Sequence, residues 1–107
     1  MNSDTDHMMR MITGYWVTQI VHAAATFSFA DHLAKGGATA EEIARAEGTD
    51  PSATFRLLRT CGSLGMVTYD GRSRFLATPL LDTLRKDDPK TLRGMALSLP
   101  GAGHWLP

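Results

Sequence analysis

The sequence has only one cysteine, Cys61, among its 107 residues. A single cysteine excludes an intrachain disulfide framework and a cysteine-rich metal site, and it is typical of proteins in a reducing compartment such as the cytoplasm. Cys61 stands among apolar residues in a predicted helix, where an unpaired cysteine usually packs as a small hydrophobe. We therefore expect a cytoplasmic protein whose core contains Cys61.

Long apolar runs are also missing. A membrane-spanning helix needs ~18 consecutive apolar residues, and the longest stretch without a charged residue, 11–30, is interrupted by threonine, glycine, glutamine, histidine and serine. The first six residues are acidic rather than basic, which is not the pattern of a secretory signal. The sequence thus predicts no membrane partner.

Recognisable catalytic and metal-binding motifs are absent from the sequence. The four histidines are scattered, and there is no H-E-x-x-H pair, no G-x-S-x-G elbow and no phosphate-binding glycine loop. The glycines at positions 101 and 103 follow no predicted strand and precede no predicted helix, unlike those of a dinucleotide-binding loop. These residues alone predict no catalytic, metal or cofactor site, so we do not expect them to form an enzyme by themselves.

The first predicted helix, residues 6–27, is apolar around most of its circumference. Its polar positions form one narrow stripe that recurs every fourth residue, at Arg10, Gly14, Thr18 and His22. A helix on the surface of a single domain needs only one apolar stripe. This helix should therefore be covered on two sides, and a second subunit is the simplest source of the second cover. The predicted interface residues are Met8, Met9, Ile12, Tyr15, Trp16 and Ile20.

Capping signals mark two helices in the middle of the chain. Thr39 and Glu42 have the spacing of a capping box, in which the two residues exchange hydrogen bonds across the first turn. Asp50 stands at the N-cap of the next helix, with Pro51 at the first helical position, where its missing N–H costs nothing. This second helix should end at Gly65.

A hairpin follows, with strands predicted at about 66–69 and 74–77 and a turn at Asp70-Gly71. Thr78-Pro79 repeats the cap-then-proline pattern and should start another helix that runs to about Arg85. The other predicted helices are 29–34 and 91–99.

This order of elements predicts a mainly α fold: a helical domain with a winged helix-turn-helix, made of a three-helix core and a β-hairpin, behind a long N-terminal dimerisation helix. We expect one domain over residues 1–107. Within it, 8–35 are dimerisation helices, 39–77 are the winged helix, and 78–107 are helices and the start of a linker.

A winged helix raises the hypothesis of a DNA-binding regulator, whose second helix lies in the major groove with the hairpin near the phosphates. The basic residues placed for such contacts are Arg56, Arg59, Arg72 and Arg74. The chain has 11 basic and 11 acidic residues, whereas DNA-binding domains rely on a basic excess. We therefore expect no nucleic-acid partner.

Nine short stretches stand in a recognisable order and spacing: Gly14–Val17, Ala23–Ala25, Phe29–Leu33, Ala38–Ala44, Gly48–Pro51, Phe55–Arg59, Leu64–Val67, Phe75–Leu80 and His104-Trp105. No single stretch is specific. Together they cover about residues 8–107 and resemble the N-terminal dimerisation domain of bacterial O-methyltransferases of the plant caffeate-methyltransferase type, which modify phenolic and polyketide natural products.

The resemblance implies a homodimer in which the first helices of two subunits interlock, and a domain that forms one wall of the acceptor pocket. The parent enzyme is expected to transfer a methyl group from S-adenosylmethionine to a hydroxyl of an aromatic or polyketide small molecule. Its catalytic Rossmann-like domain, with the cofactor loop and a histidine base, is expected beyond Pro107. The predicted pocket-lining residues, for which core or dimer packing is the alternative, are Trp16, Met95, Leu99 and Trp105.

Two other hypotheses remain open at this point. One is a stand-alone winged-helix DNA-binding regulator. The other is a free-standing dimerisation partner that regulates a full-length enzyme by forming heterodimers with it.

Overall fold

The computed structural model describes residues 3–98, and the predicted pocket residues Leu99 and Trp105 lie outside that range. Most of the described chain is helical, with one small antiparallel sheet, so the prediction of a mainly α fold is confirmed. The elements are α1 (Ser3–Thr26), α2 (Phe29–His32), β1 (Ala38–Thr39), α3 (Ala40–Glu47), α4 (Pro51–Ser63), β2 (Val67–Tyr69), β3 (Arg74–Ala77), α5 (Pro79–Asp82) and α6 (Arg93–Ser98).

The predicted capping signals open α3 and α4 as expected. The Glu42 N–H donates to Thr39 Oγ1 at 3.1 Å, and the Thr39 N–H donates to Glu42 Oε1 at 2.8 Å, which completes the capping box. At α4, the Ala53 N–H donates to Asp50 Oδ2 at 2.8 Å. Asp50 is the N-cap residue, and the proline that follows it opens the first turn. These local bonds fix where both helices begin.

The sheet has the strand order β1-β3-β2, and all its pairings are antiparallel. The predicted hairpin is β2–β3, with Tyr69 opposite Phe75. Asp70 shapes its turn, since Oδ1 accepts hydrogen bonds from the N–H groups of Arg72 and Arg74. β1 was not predicted: this two-residue strand pairs with β3 on the side opposite β2, and its residue Thr39 was predicted only as the cap of α3.

α5 starts at Pro79 with Thr78 at the N-cap position, as predicted, but the Thr78 side chain makes no cap hydrogen bond. Its hydroxyl lies 2.7 Å from Gly65 O and 2.9 Å from Met66 O, to which it can donate. The residue therefore ties α5 to the end of α4 and the start of β2. α5 itself ends at Asp82 rather than at about Arg85, and the residues directly after Asp82 form a turn.

The core lies between the end of α1, helices α2 to α5 and the inner face of the sheet. Its largest fully buried side chains are Phe29, Ile43, Leu58, Cys61, Phe75 and Leu81. Burial raises the pKa of the Cys61 thiol to about 12, so the thiolate is inaccessible at neutral pH. The expectation that Cys61 packs as a small hydrophobe is confirmed.

Candidate dimer interface and adjoining cavity

The first half of α1 projects from the rest of the domain. Every residue from 3 to 16 is exposed except Asp6, which is half-buried, whereas Ala24 and Ala25 at the other end of the helix are fully buried. We call residues 3–16 the arm. Large apolar side chains that are 50–61% exposed crowd this arm: Met8, Met9, Met11, Ile12, Tyr15 and Trp16.

Scattered exposed apolar residues are normal on a protein surface, but a contiguous group usually marks an interaction site. The structure places five of the six predicted interface residues together on the arm. Ile20 is different, because it is half-buried and packs against the core of its own domain. Met11 is as exposed as its neighbours and belongs to the same surface, although it is not among the predicted interface residues.

A cavity of about 450 Å³ adjoins the arm. One wall is the second half of α1, and the others come from the segment after α4, from α5 and the turn after it, and from α6 and the residue before it. Its lining is apolar apart from two threonines, and its rim reaches the surface through Leu80, Leu92 and Met95, which are all exposed. We call it the α1–α6 cavity. Its lining residues are Val17, Thr18, Val21, Leu64, Met66, Leu80, Thr83, Leu84, Leu92, Met95 and Ala96.

Among the predicted pocket-lining residues, Met95 lines this cavity and Trp16 stands next to its first wall residue, Val17, without being part of the lining. The remaining lining residues were not predicted. They come from separate segments of the chain, and the sequence offered a signal only for Val17 and Val21, which belong to the apolar part of the first helix.

Three hydrogen bonds hold α6 over α1 and α5. His22 Nδ1 lies 3.2 Å from Ala96 O, and because a carbonyl can only accept, this nitrogen carries the proton. The Leu92 N–H donates to Thr83 O at 2.8 Å, and the Thr91 hydroxyl lies 3.3 Å from the same oxygen. His22, predicted as part of a polar stripe, therefore faces α6 and helps to form the cavity.

Two of the four arginines considered for DNA contact are engaged within their own domain. The Arg59 guanidinium stacks over the Tyr69 and Phe55 rings, at 5.5 and 5.9 Å from their centroids. Arg74 donates to Gly37 O at 3.0 Å and lies 3.8 Å from Glu42 Oε1. Both guanidinium groups thus interact with groups of their own domain.

Clusters of histidine, cysteine, aspartate and glutamate side chains are sparse in the part of the chain that the structure describes. The closest pair is His32 Nε2 and Glu47 Oε2, which are 2.6 Å apart and join α2 to α3. Over residues 3–98 no three side chains of histidine, cysteine, aspartate or glutamate come together as a metal site would require. Within the same range, no helix has both the length and the apolar character to cross a membrane.

Comparison with known proteins identifies the family that this chain resembles. The family model of the O-methyltransferase dimerisation domain matches residues 9–87. The chain is 38% identical over 90 residues to a phenazine O-methyltransferase of Lysobacter antibioticus, covering 84% of this chain and 26% of that enzyme. It is 33% identical over 87 residues to an O-demethylpuromycin-O-methyltransferase of Streptomyces alboniger, covering 81% and 23%.

Solved structures agree with these sequence relatives. The crystal structure of CalO1, a methyltransferase in calicheamicin biosynthesis in its SAH-bound form, superposes with a TM-score of 0.80 at 31% identity, over 98% of this chain and 32% of that one. The chain thus spans about a quarter to a third of the length of the relatives it matches. The resemblance seen in the sequence is confirmed, and the chain belongs to the family of O-methyltransferase dimerisation domains.

Proposed function

We propose that this domain pairs two identical subunits of an S-adenosylmethionine-dependent O-methyltransferase through the arm, and that it forms one wall of the acceptor pocket. The observation that carries the proposal is the arm itself, a helix whose six large apolar side chains are at least half exposed in the single chain. Burying such a side chain contributes about 1.5–3 kcal/mol before the costs of association are subtracted. A second subunit that covers the arm supplies that burial.

We propose that residues 39–77 form a winged helix. In this protein it serves as a scaffold and does not bind DNA. The succession of α3, α4 and the β2–β3 hairpin supports it, with β1 completing the sheet. The zero net charge and the contacts of Arg59 and Arg74 within the domain support a protein-facing role. We retain residues 1–107 as one domain, with 8–35 serving dimerisation and 78–107 leading toward a linker.

The α1–α6 cavity does not fit S-adenosylmethionine. The amino acid group and ribose hydroxyls of that cofactor need charged and polar partners, whereas Thr18 and Thr83 are the only polar residues in the cavity lining. We therefore assign no cofactor to these residues. The glycine-rich cofactor loop and the catalytic base belong, in this proposal, to the portion of the relatives that the chain does not span.

The acceptor that we propose is an aromatic or polyketide small molecule with a free hydroxyl. The names of the relatives support this class, since one is a phenazine O-methyltransferase and another acts in calicheamicin biosynthesis. Trp16, Met95, Leu99 and Trp105 remain the residues that we propose to line its pocket, the first from one subunit and the others from its partner. The buried, unreactive Cys61 is consistent with our expectation of a reducing cytoplasm.

One matched pair of variants tests the proposed dimer. Ile12→Glu places a carboxylate on the arm, where Ile12 is 61% exposed in the single chain, and Leu76→Glu places one on the exposed face of β3. A carboxylate buried without a partner weakens association by several kcal/mol. In sedimentation velocity, we expect wild type and Leu76→Glu to be dimers and Ile12→Glu to be a monomer. A dimeric Ile12→Glu variant, or a monomeric wild type, would contradict the proposal.

A further inference from the structure

The helix α6 is too short to be stable without its neighbours. It has only 6 residues, Arg93–Ser98, and none of them is fully buried. Isolated helices shorter than about 12 residues are marginal in water, so α6 depends on its attachments to other elements. Because Met95 and Ala96 line the α1–α6 cavity, these attachments also decide whether the cavity keeps this wall.

The first turn of α6 is anchored through the backbone. The Leu92 N–H, one residue ahead of the helix, donates to Thr83 O at 2.8 Å, and the Ala96 N–H donates to Leu92 O at 2.9 Å. These two bonds do not depend on the identity of any side chain. The last turn needs a partner of a different kind.

The last turn leaves Ala96 O without a regular helical partner. In an α-helix this oxygen would accept from the N–H four residues later, but position 100 is a proline, which has no N–H. The last carbonyl groups of a helix need donors from outside it, and histidine side chains can supply them. His22 Nδ1, which lies 3.2 Å from Ala96 O, is such a donor.

His22 reaches this oxygen from a firm support. It belongs to α1, a continuous helix of 24 residues. It directly follows Val21, which lines the cavity and packs against the core, and it is itself half-buried. The bond therefore joins the short helix to a long one at the edge of the cavity.

We propose that His22 is a positioning residue for the acceptor wall. Its Nδ1–H closes the last turn of α6 and thereby holds the neighbouring Met95 over the α1–α6 cavity. Without this bond the first turn stays anchored at Thr83, and the last turn moves away from α1. The part of the cavity in acceptor binding rests on the proposed function, whereas the closing of α6 by His22 does not.

The wild-type protein provides the first test. Ala96 O can only accept a hydrogen bond, so the neutral His22 ring must carry its proton on Nδ1. Long-range proton–nitrogen NMR spectra distinguish the two tautomers of a neutral imidazole, and mildly alkaline buffer keeps the ring neutral. We expect the Nδ1-protonated tautomer for His22. The Nε2-protonated tautomer would overturn the proposal.

Three substitutions of His22 separate the bond from the rest of the side chain. His22→Asn keeps an N–H donor near the position of Nδ1, His22→Gln moves the donor near the position of Nε2, and His22→Ala removes it. Asparagine and histidine have similar helix propensities, whereas alanine and glutamine have higher ones. An effect on the stability of α1 alone would thus favour His22→Ala and His22→Gln. The proposal predicts the opposite order for α6, with His22→Asn nearest to wild type.

Isotope-labelled methyl groups of methionine and isoleucine show where α6 lies in each variant. In NMR spectra at equal protein concentration, we expect the Met95 methyl signal of His22→Ala and His22→Gln to shift toward that of free methionine. The signal of His22→Asn should stay near the wild-type position. The Ile43 methyl, which is fully buried and outside the cavity lining, should not move in any variant.

Ser98→Ala is the matched control on α6 itself. It removes a side-chain hydrogen bond to Gly94 O within the helix and should leave the Met95 signal unchanged. A Met95 signal that is the same in wild type and His22→Ala would overturn the proposal. Recovery by His22→Gln instead of His22→Asn would also overturn it, and either result leaves the proposed dimer standing.

Binding of 1-naphthol, an aromatic molecule with one hydroxyl, tests the link to the acceptor wall. Its titration should shift the Met95 methyl signal of wild type. The dissociation constant should rise at least about twofold in His22→Ala and His22→Gln, since a smaller fraction of the protein has the closed cavity, and should stay at the wild-type value in His22→Asn and Ser98→Ala. If wild type does not bind 1-naphthol while Met95 follows the predicted order, the acceptor wall of the proposed function is overturned and the closing of α6 by His22 is supported.

Discussion

Gly37→Ala tests how β1 is held against the sheet. Gly37 immediately precedes β1 and has a φ of +87°, a conformation that L side chains rarely adopt. A Cβ at this position would lie 2.4 Å from Phe75 O and 3.2 Å from Leu76 Cγ. Phe75 O is a backbone atom of the central strand β3, so the clash can be relieved only by moving β1 away from β3.

The expected cost has two parts. The left-handed backbone conformation costs about 1–2 kcal/mol for a residue with a Cβ, and forcing an extra methyl into packed structure costs typically about 1–3 kcal/mol more. The neighbouring Gly36 separates the two parts, since it has a φ of +85° and a Cβ there would meet nothing within 4 Å. We expect Gly36→Ala to lose about 1–2 kcal/mol of unfolding free energy and Gly37→Ala about 2–5 kcal/mol.

Urea denaturation followed by circular dichroism measures both variants. All samples need the same protein concentration, because dimer dissociation contributes to the apparent stability. In thermal melts of a domain of this size, each 1 kcal/mol corresponds to about 4–8 °C in Tm. If Gly37→Ala were no less stable than Gly36→Ala, the packing of β1 against Phe75 would be refuted.

Three further changes test local features of the fold. Thr39→Ala removes one hydrogen bond of the capping box and should lower the unfolding free energy by about 1 kcal/mol in urea; an unchanged midpoint would contradict the cap. Ser28→Gly relieves the left-handed conformation of Ser28, φ 56°, and should raise the unfolding free energy by up to about 1 kcal/mol; a loss of stability would count against strain there. The backbone hydrogen bond from Arg72 is the largest cause of a lowered Asp70 pKa, with further bonds from Arg74 and Ser73. Because the folded pKa lies below the ordinary 3.8, the stabilisation is present above that value and is lost as pH falls through the folded pKa. Wild type should therefore exceed Asp70→Asn in Tm near about pH 6, with the gap closing toward about pH 3; a gap that does not change with pH would contradict this assignment.

Local signals predicted a large part of the fold. The starts of α3 and α4 followed from Thr39, Glu42 and Asp50, because a cap and its acceptor lie within one helical turn. The β2–β3 hairpin followed from Asp70-Gly71 for the same reason. In each case the residues that decide the structure are neighbours in sequence.

Features that depend on distant partners were not predictable in this way. β1 consists of two residues that form a strand only because β3 offers an edge, with Ala38 opposite Phe75. Thr78 had the pattern of a cap, yet its hydroxyl reaches carbonyls more than ten residues earlier in the chain. The α1–α6 cavity combines separate segments of the chain, and only Met95 of its lining was anticipated.

The candidate interface shows the same division. The excess of apolar residues on the first helix is a local property, so the sequence predicted a second cover for it. Which part of the helix remains uncovered depends on the tertiary structure, since the packing of Ile20 against the core separates it from the arm. The tertiary structure therefore defines which residues of the first helix form the candidate dimer surface.

The molar mass of the protein in solution tests the central claim most directly. The mass is measured by static light scattering after size-exclusion chromatography, at loading concentrations from about 1 to 100 μM. This range covers the dissociation constants expected for a dimer that buries an apolar surface. We predict a mass of twice the 11.6 kDa of one chain, with dissociation only toward the dilute end. A single species of 11.6 kDa at the highest concentration would contradict dimerisation through the arm.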